Sequence, residues 1–142
     1  MVRPGCKKFL DKMTWLYEVV IFTASVSNYA DPLMDILDSQ KYGFYKFYRE
    51  HCTYNSRANY YMKDLSRMGW DIKDLIIVDN LAHSYKLQPE NGIPISSWYE
   101  DQSDQELDQL SSLLEQLATV EDVWPYIQKI VKNERVCLPL AS

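Results

Sequence analysis

Val19-Val20-Ile21-Phe22-Thr23-Ala24-Ser25 and Leu75-Ile76-Ile77-Val78-Asp79-Asn80 are the two stretches on which the fold turns. Each opens with four apolar residues rich in β-branching and closes on polar groups. An apolar run without polar alternation reads as a strand covered on both faces, the mark of a parallel sheet between helical layers. Before the first run, Phe9, Leu10, Met13, Leu16 and Tyr17 recur at helical spacing and predict a helix over Lys7 to Tyr17, with Pro4-Gly5 as the turn before it. After it, Leu33, Met34, Ile36 and Leu37 predict a second helix, capped by Ser25 or Ser27, in which Pro32 is tolerable only in the first turn. Phe44 to Tyr48 is aromatic and strand-like, and Cys52 to Met62 predicts two short strands around a loop at Asn55 to Asn59. Asp64 to Met68 is a short helix or turn closed by Gly69. Beyond the second run, Ile93-Pro94-Ile95 is a short strand whose proline fits an edge. Leu107, Leu110, Leu113, Leu114 and Leu117 form one helical stripe, and Val123 to Val131 is a last helix with Pro125 near its start. Strands alternating with helices predict an α/β layered domain with a mainly parallel sheet over residues 1–132 and a frayed tail at 133–142.

The 142 residues suit one domain, and the 46% hydrophobic content fills one core. A net charge of −5 argues against a protein that coats duplex nucleic acid. No apolar run approaches the ~18 residues of a membrane span. The start MVRPGCKKFLDKM has early charges and no apolar stretch, unlike a signal peptide. Cys6, Cys52 and Cys137 are widely spaced and odd in number, which disfavours a disulfide framework or a cysteine-built zinc site and suits a reducing compartment. The expected location is intracellular, in the nucleus or cytoplasm. Tyrosines crowd between Tyr42 and Tyr61, which predicts a face rich in aromatic contacts.

In parallel α/β sheets, chemistry lies beyond the carboxyl ends of the strands. Asp79 with Asn80, directly after a buried strand, suits Mg²⁺, a hard cation that takes carboxylate and amide oxygens; a helix cap is the plainer alternative. Thr23-Ala24-Ser25 offers a hydroxyl beside a helix start, an arrangement for phosphate or for capping alone. Lys63 can neutralise a transferring phosphoryl group, although most lysines are merely solvated. His51 and His83 read as structural or surface residues, Cys52 as a core thiol, and Glu100 to Gln109 as a solvated helix start.

A hydroxyl after one strand, then a lysine, then an acid after a further strand is the order of motifs II, III and IV of the haloacid dehalogenase superfamily. The local strings RPG at Arg3, VIFTAS at Val20, YADP at Tyr29, YRE at Tyr48, YMKDLSRMG at Tyr61, IIVDN at Ile76, PEN at Pro89 and SWYED at Ser97 closely resemble one branch of it. That branch is the RNA polymerase II C-terminal-domain phosphatase family, with the small C-terminal-domain phosphatases and the Dullard-type, NLI-interacting-factor-like phosphatases. The resemblance runs to about Asp122. It implies a three-layer Rossmann-like haloacid dehalogenase fold with a small β insertion, and a Mg²⁺-dependent protein serine/threonine phosphatase working through an aspartyl-phosphate. It implies Thr23 as the phosphoryl-binding hydroxyl, Lys63 as the charge-stabilising lysine, and Asp79 with Asn80 as the magnesium residues. Tyr29 and Arg49 would hold a phosphoserine or phosphothreonine protein substrate such as the RNA polymerase II C-terminal domain. The stretch Cys52 to Met62 is slightly longer than in the small phosphatases.

One departure matters. The family begins with a strand ending in DxDxT, which carries the nucleophile, the general acid/base and a metal contact. No two aspartates of this sequence stand two positions apart. The domain is therefore expected to be truncated at its amino end, without its first, central strand, which the family places between the Val19 and Leu75 strands. A chain so made is expected to be inactive and to bind Mg²⁺ weakly. Its two apolar strands are expected to pair directly or to leave it poorly folded. The alternatives are a catalytically dead phosphopeptide-binding or scaffold remnant, and a bare fragment without function of its own.

Overall fold

The leucine stripe builds the core. In the computed structural model, which describes residues 1–38 and 42–132, helix α3 (Glu106–Leu117) buries Leu107, Leu110, Leu114 and Leu117. They pack with Met13 of α1 (Cys6–Leu16), Ile127 of α4 (Trp124–Val131) and Ile93 of strand β6 (Gly92–Pro94). Burial of such side chains contributes about 1.5–3 kcal/mol each. The Tyr17 hydroxyl, just past α1, donates to the Leu114 carbonyl at 2.5 Å, and burial pushes this phenol up to about 12. A second cluster joins Ile77 of strand β5 (Ile77–Asp79) to Leu65 and Tyr85.

Strand β1 (Val20–Phe22) pairs in parallel with β2 (Tyr45–Phe47), with Val20 opposite Tyr45. Strand β5 pairs in parallel with β6, with Ile77 opposite Gly92. Strands β3 (Thr53–Asn55) and β4 (Tyr60–Met62) make the antiparallel insertion. Its loop is held by Asn55, whose side-chain oxygen accepts from the Arg57 and Ala58 amides, and by Asn59 in the left-handed region at φ 58.

Several expectations are corrected. Of the two outcomes expected for the apolar strands, direct pairing of the Val19 and Leu75 strands is not the one adopted; among the described residues β1 bonds only β2, and β5 only β6. Strand β1 is half-buried throughout rather than covered on both faces, as a strand with one bonded neighbour remains open on the other side. Strand β5 begins two residues late because the Leu75 carbonyl is taken by a side chain. The amide of fully buried Asn91 donates to the Ile72 and Leu75 carbonyls at 2.6 and 2.7 Å and accepts from the Trp124 indole at 3.0 Å. Helix α2 (Ser27–Leu37) has Val26 as its N-cap residue, between the expected caps Ser25 and Ser27, and Pro32 stands in its second turn rather than its first. Its first turn closes when Tyr29 and Ala30 amides reach back to the Val26 carbonyl, both at 3.1 Å, and no side chain caps it. The expected tail at 133–142 lies outside the described residues.

Candidate active site

Asp79 ends β5, and only 8% of it is exposed. Its Oδ1 accepts from the Leu81 amide at 2.9 Å, and its Oδ2 accepts from Lys63 Nζ at 2.6 Å. Lys63 follows β4, and its own amide donates to the Ser84 carbonyl at 2.7 Å. That bond ties it to the short helix Ala82–Tyr85 that follows Asp79. The same ammonium lies 5.8 Å from the centroid of the Phe22 ring, at the end of β1. Thr23 comes next: its amide donates to the Phe47 carbonyl at 2.9 Å, and its Oγ1 accepts from the Ser25 amide at 3.1 Å. The hydroxyl proton is left to donate elsewhere. The ends of β1, β4 and β5 thus meet through Phe22, Lys63 and Asp79.

Arg49 is tied to the loop after Thr23. Its Nε donates to the Ala24 carbonyl at 2.8 Å, its amide donates to the Ser25 carbonyl at 3.1 Å, and its guanidinium lies 5.1 Å over the Tyr61 ring. Tyr29 stands apart in the first turn of α2, 82% exposed. Nearby, the Tyr48 hydroxyl donates to Asp31 Oδ1 at 2.5 Å; this bond, ahead of burial, pushes the phenol up to about 12. Burial pushes the Cys52 thiol up, against the opposing pull of Lys63 and Arg49. His51 Nδ1 accepts from the Tyr48 amide at 2.9 Å, and His83 stacks on Tyr60 at 4.5 Å between ring centroids.

Asn80 is exposed, and its Nδ2 donates to Ser97 Oγ at 2.9 Å. Arg3, Asp79, Asn80, Ser96, Ser97 and Trp98 line an open cleft of about 360 Å³. Arg3 and Ser97 lie within the family-like strings RPG and SWYED, yet nothing in the sequence gives them a part in the site. The donor chemistry fits a hard cation as a partial set, one carboxylate and one carboxamide side by side at a strand end. Among the described residues no three His, Cys, Asp or Glu side chains converge to complete it.

Residues 1–124 match the family model described as NLI interacting factor-like phosphatase. The chain belongs to that family. It is 49% identical over 121 residues to a probable C-terminal domain small phosphatase of Dictyostelium discoideum, covering 85% of this chain and 39% of that protein. It is 43% identical over 129 residues to the human carboxy-terminal domain RNA polymerase II polypeptide A small phosphatase 1, covering 89% of this chain and 48% of that one. The chain therefore spans less than half the length of these relatives. The solved structure of the fission yeast RNA polymerase II CTD phosphatase Fcp1 bound to beryllium fluoride superposes with a TM-score of 0.55 at 18% identity, over all of this chain and 43% of that one. That likeness shows the fold: the family domain has the expected α/β haloacid dehalogenase architecture. No helix among the described residues is long and apolar enough to cross a membrane.

Proposed function

We propose that residues 1–132 form the carboxyl part of a Mg²⁺-dependent protein serine/threonine phosphatase domain, and that these 142 residues alone do not turn over a phosphomonoester. The observation that carries the reading is the buried Lys63–Asp79 pair beside Phe22 and Thr23, at the ends of three strands. A DxDxT segment would supply the nucleophile: its carboxylate oxygen bonds to phosphorus as the seryl oxygen–phosphorus bond breaks, and water then releases phosphate. This chain's own residues act around that centre. The Thr23 hydroxyl donates to a phosphoryl oxygen. Lys63 neutralises charge on the transferring group, an effect of the kind that positioned cations supply in a water-poor site. Arg49, fixed by the Ala24 carbonyl, and Tyr29, exposed at the start of α2, hold the phosphopeptide. Mg²⁺, when bound, would be held on this side by Asp79 and Asn80 and would offset phosphoryl charge. Substrates of the class named for the relatives, the RNA polymerase II C-terminal domain, fit this reading, as does a nuclear or cytoplasmic location.

A second reading is favoured by the absence of any Asp-x-Asp among these residues. In it the chain binds phosphopeptides through Thr23, Lys63 and Arg49 without hydrolysing them. An assay of the purified chain with an aryl phosphate and Mg²⁺ at mildly acidic pH, repeated after joining a strand that ends in DxDxT, separates the readings. Activity in the joined protein that depends on Lys63 supports the phosphatase. Turnover by the chain alone, abolished in Lys63→Ala, overturns the claim that it is inactive.

A further inference from the structure

Asn80 is not oriented by its own strand. Its carboxamide is held by Ser97, and Ser97 belongs to a segment gripped from elsewhere. The neighbouring Ser96 amide donates to Glu106 Oε1 at 2.8 Å, and its hydroxyl donates to Glu106 Oε2. The Ser96 carbonyl accepts from Arg3 Nη1 at 2.8 Å. Arg3 in turn holds Asp104 with two bonds, at 2.7 and 3.1 Å, and Glu106 at 2.8 Å. These two carboxylates bracket the start of α3, whose leucines lie in the core. A path therefore runs from the core-anchored helix, by hydrogen bonds through Glu106 and Arg3 to Ser96, across the peptide bond to Ser97, and by a hydrogen bond to the carboxamide beside Asp79.

We propose that Arg3 and Glu106 are positioning residues for Asn80: by fixing Ser96 and Ser97 they turn the Asn80 Nδ2 outward to the Ser97 hydroxyl, so that Asn80 Oδ1 faces the same cleft as Asp79. The use of that oxygen toward a cation rests on the function proposed above; the positioning itself does not. An amide left free would rotate and present its nitrogen as readily as its oxygen, and nitrogen donors repel a cation. The bidentate grip of Arg3 suits this task, because a planar guanidinium fixes direction as well as distance.

The test uses the whole 142-residue chain, labelled with nitrogen-15. Asn80→Asp identifies the Asn80 carboxamide signals. In Glu106→Gln those signals are expected to move toward free-amide values and to exchange with water roughly 5-fold faster, the scale of one ordinary hydrogen bond lost. Ser97→Ala should do the same, Ser97→Thr should keep the native signals, and Arg3→Lys should give an intermediate shift. Titration with Mn²⁺ is expected to broaden the Asn80 signals at lower concentration in the native chain than in Glu106→Gln. Asn80 signals that stay native in Glu106→Gln while the Ser96 amide moves would overturn the proposal, as would native signals already at free-amide values. Shifts as expected with no Mn²⁺ broadening in the native chain would support the positioning and sink the metal reading of Asp79 and Asn80 instead.

Discussion

Lys63 Nζ lies 2.6 Å from Asp79 Oδ2, and the two side chains are only 11% and 7% exposed. Each partner is fixed independently, Lys63 by the Ser84 carbonyl and Asp79 by the Leu81 amide. Removing one member of so enclosed a pair leaves a charge without compensation, at a cost of about 3–5 kcal/mol, whereas replacing both by apolar groups is far milder. Lys63→Met is therefore expected to lower the urea midpoint sharply. The double variant Lys63→Met with Asp79→Leu is expected to recover a large part of the loss. Additive losses in that cycle would show that the pair is not coupled.

How much of this was legible in the sequence depends on the range of the forces involved. The stripe from Leu107 to Leu117 was readable because helical spacing is local, and it forms the core as expected. The hairpin around Asn55 to Asn59 was readable because Asn55 and Asn59 do local work. The start of α2 was legible to within a residue from the caps offered by Ser25 and Ser27, but Pro32 was misplaced in the first turn, because backbone bonds to Val26 put it in the second. Burial of β1 was overestimated because an apolar run states what a strand prefers, not how many neighbours bond it. Of the expected site residues, Thr23, Lys63, Arg49 and Asp79 lie in one network of contacts, and Tyr29 lies outside it. The Asn80–Ser97 bond was invisible because it joins segments that only the tertiary fold brings together.

In a protein completed with a DxDxT strand, Lys63→Ala is expected to lower kcat on the order of 10²-fold, the usual loss when one charge-stabilising group is removed. Asp79→Asn should raise the Mg²⁺ concentration needed for half-maximal rate, because a neutral amide is a weaker ligand than a carboxylate. Steady-state kinetics across a Mg²⁺ series reads both effects. Two variants at full rate and unchanged Mg²⁺ dependence would mean that the chemistry lies elsewhere.

Acid should loosen the start of α3. The Arg3 guanidinium holds the Asp104 carboxyl below its ordinary range. The Ser96 hydroxyl and amide, with Arg3 after them, do the same for Glu106. Groups whose folded pKa is depressed stabilise the fold above their unfolded values, near 4, and that stability is lost as pH falls through the lower folded values. Arg3→Gln is thus expected to be less stable than the native chain at pH 7, and the gap should close as pH falls below about 4. Urea midpoints at neutral and acidic pH measure it. A gap that persists unchanged in acid would assign the contribution of Arg3 to packing rather than charge.

Gly92 shows how closely β6 approaches the core. A Cβ built there would fall inside contact distance of three atoms of the Tyr85 ring, the farthest at 2.7 Å. The ring cannot easily retreat, because Tyr85 is only 8% exposed and packs with Leu65 and Ile77. The glycine is needed here for space rather than for backbone freedom, since its φ of −93 is one that any residue adopts. Overpacking of this kind costs about 1–3 kcal/mol. Gly92→Ala is therefore expected to lower the thermal midpoint and, because Gly92 pairs with Ile77 two residues before Asp79, to disturb the Asp79 strand end as well. Shrinking the obstacle should relieve the strain. Gly92→Ala combined with Tyr85→Leu is expected to lose less stability than the two single variants summed, with a coupling of roughly 0.5–3 kcal/mol. Simple additivity would mean that β6 shifts as a body and that the close approach of Gly92 to Tyr85 does not set the position of the strand.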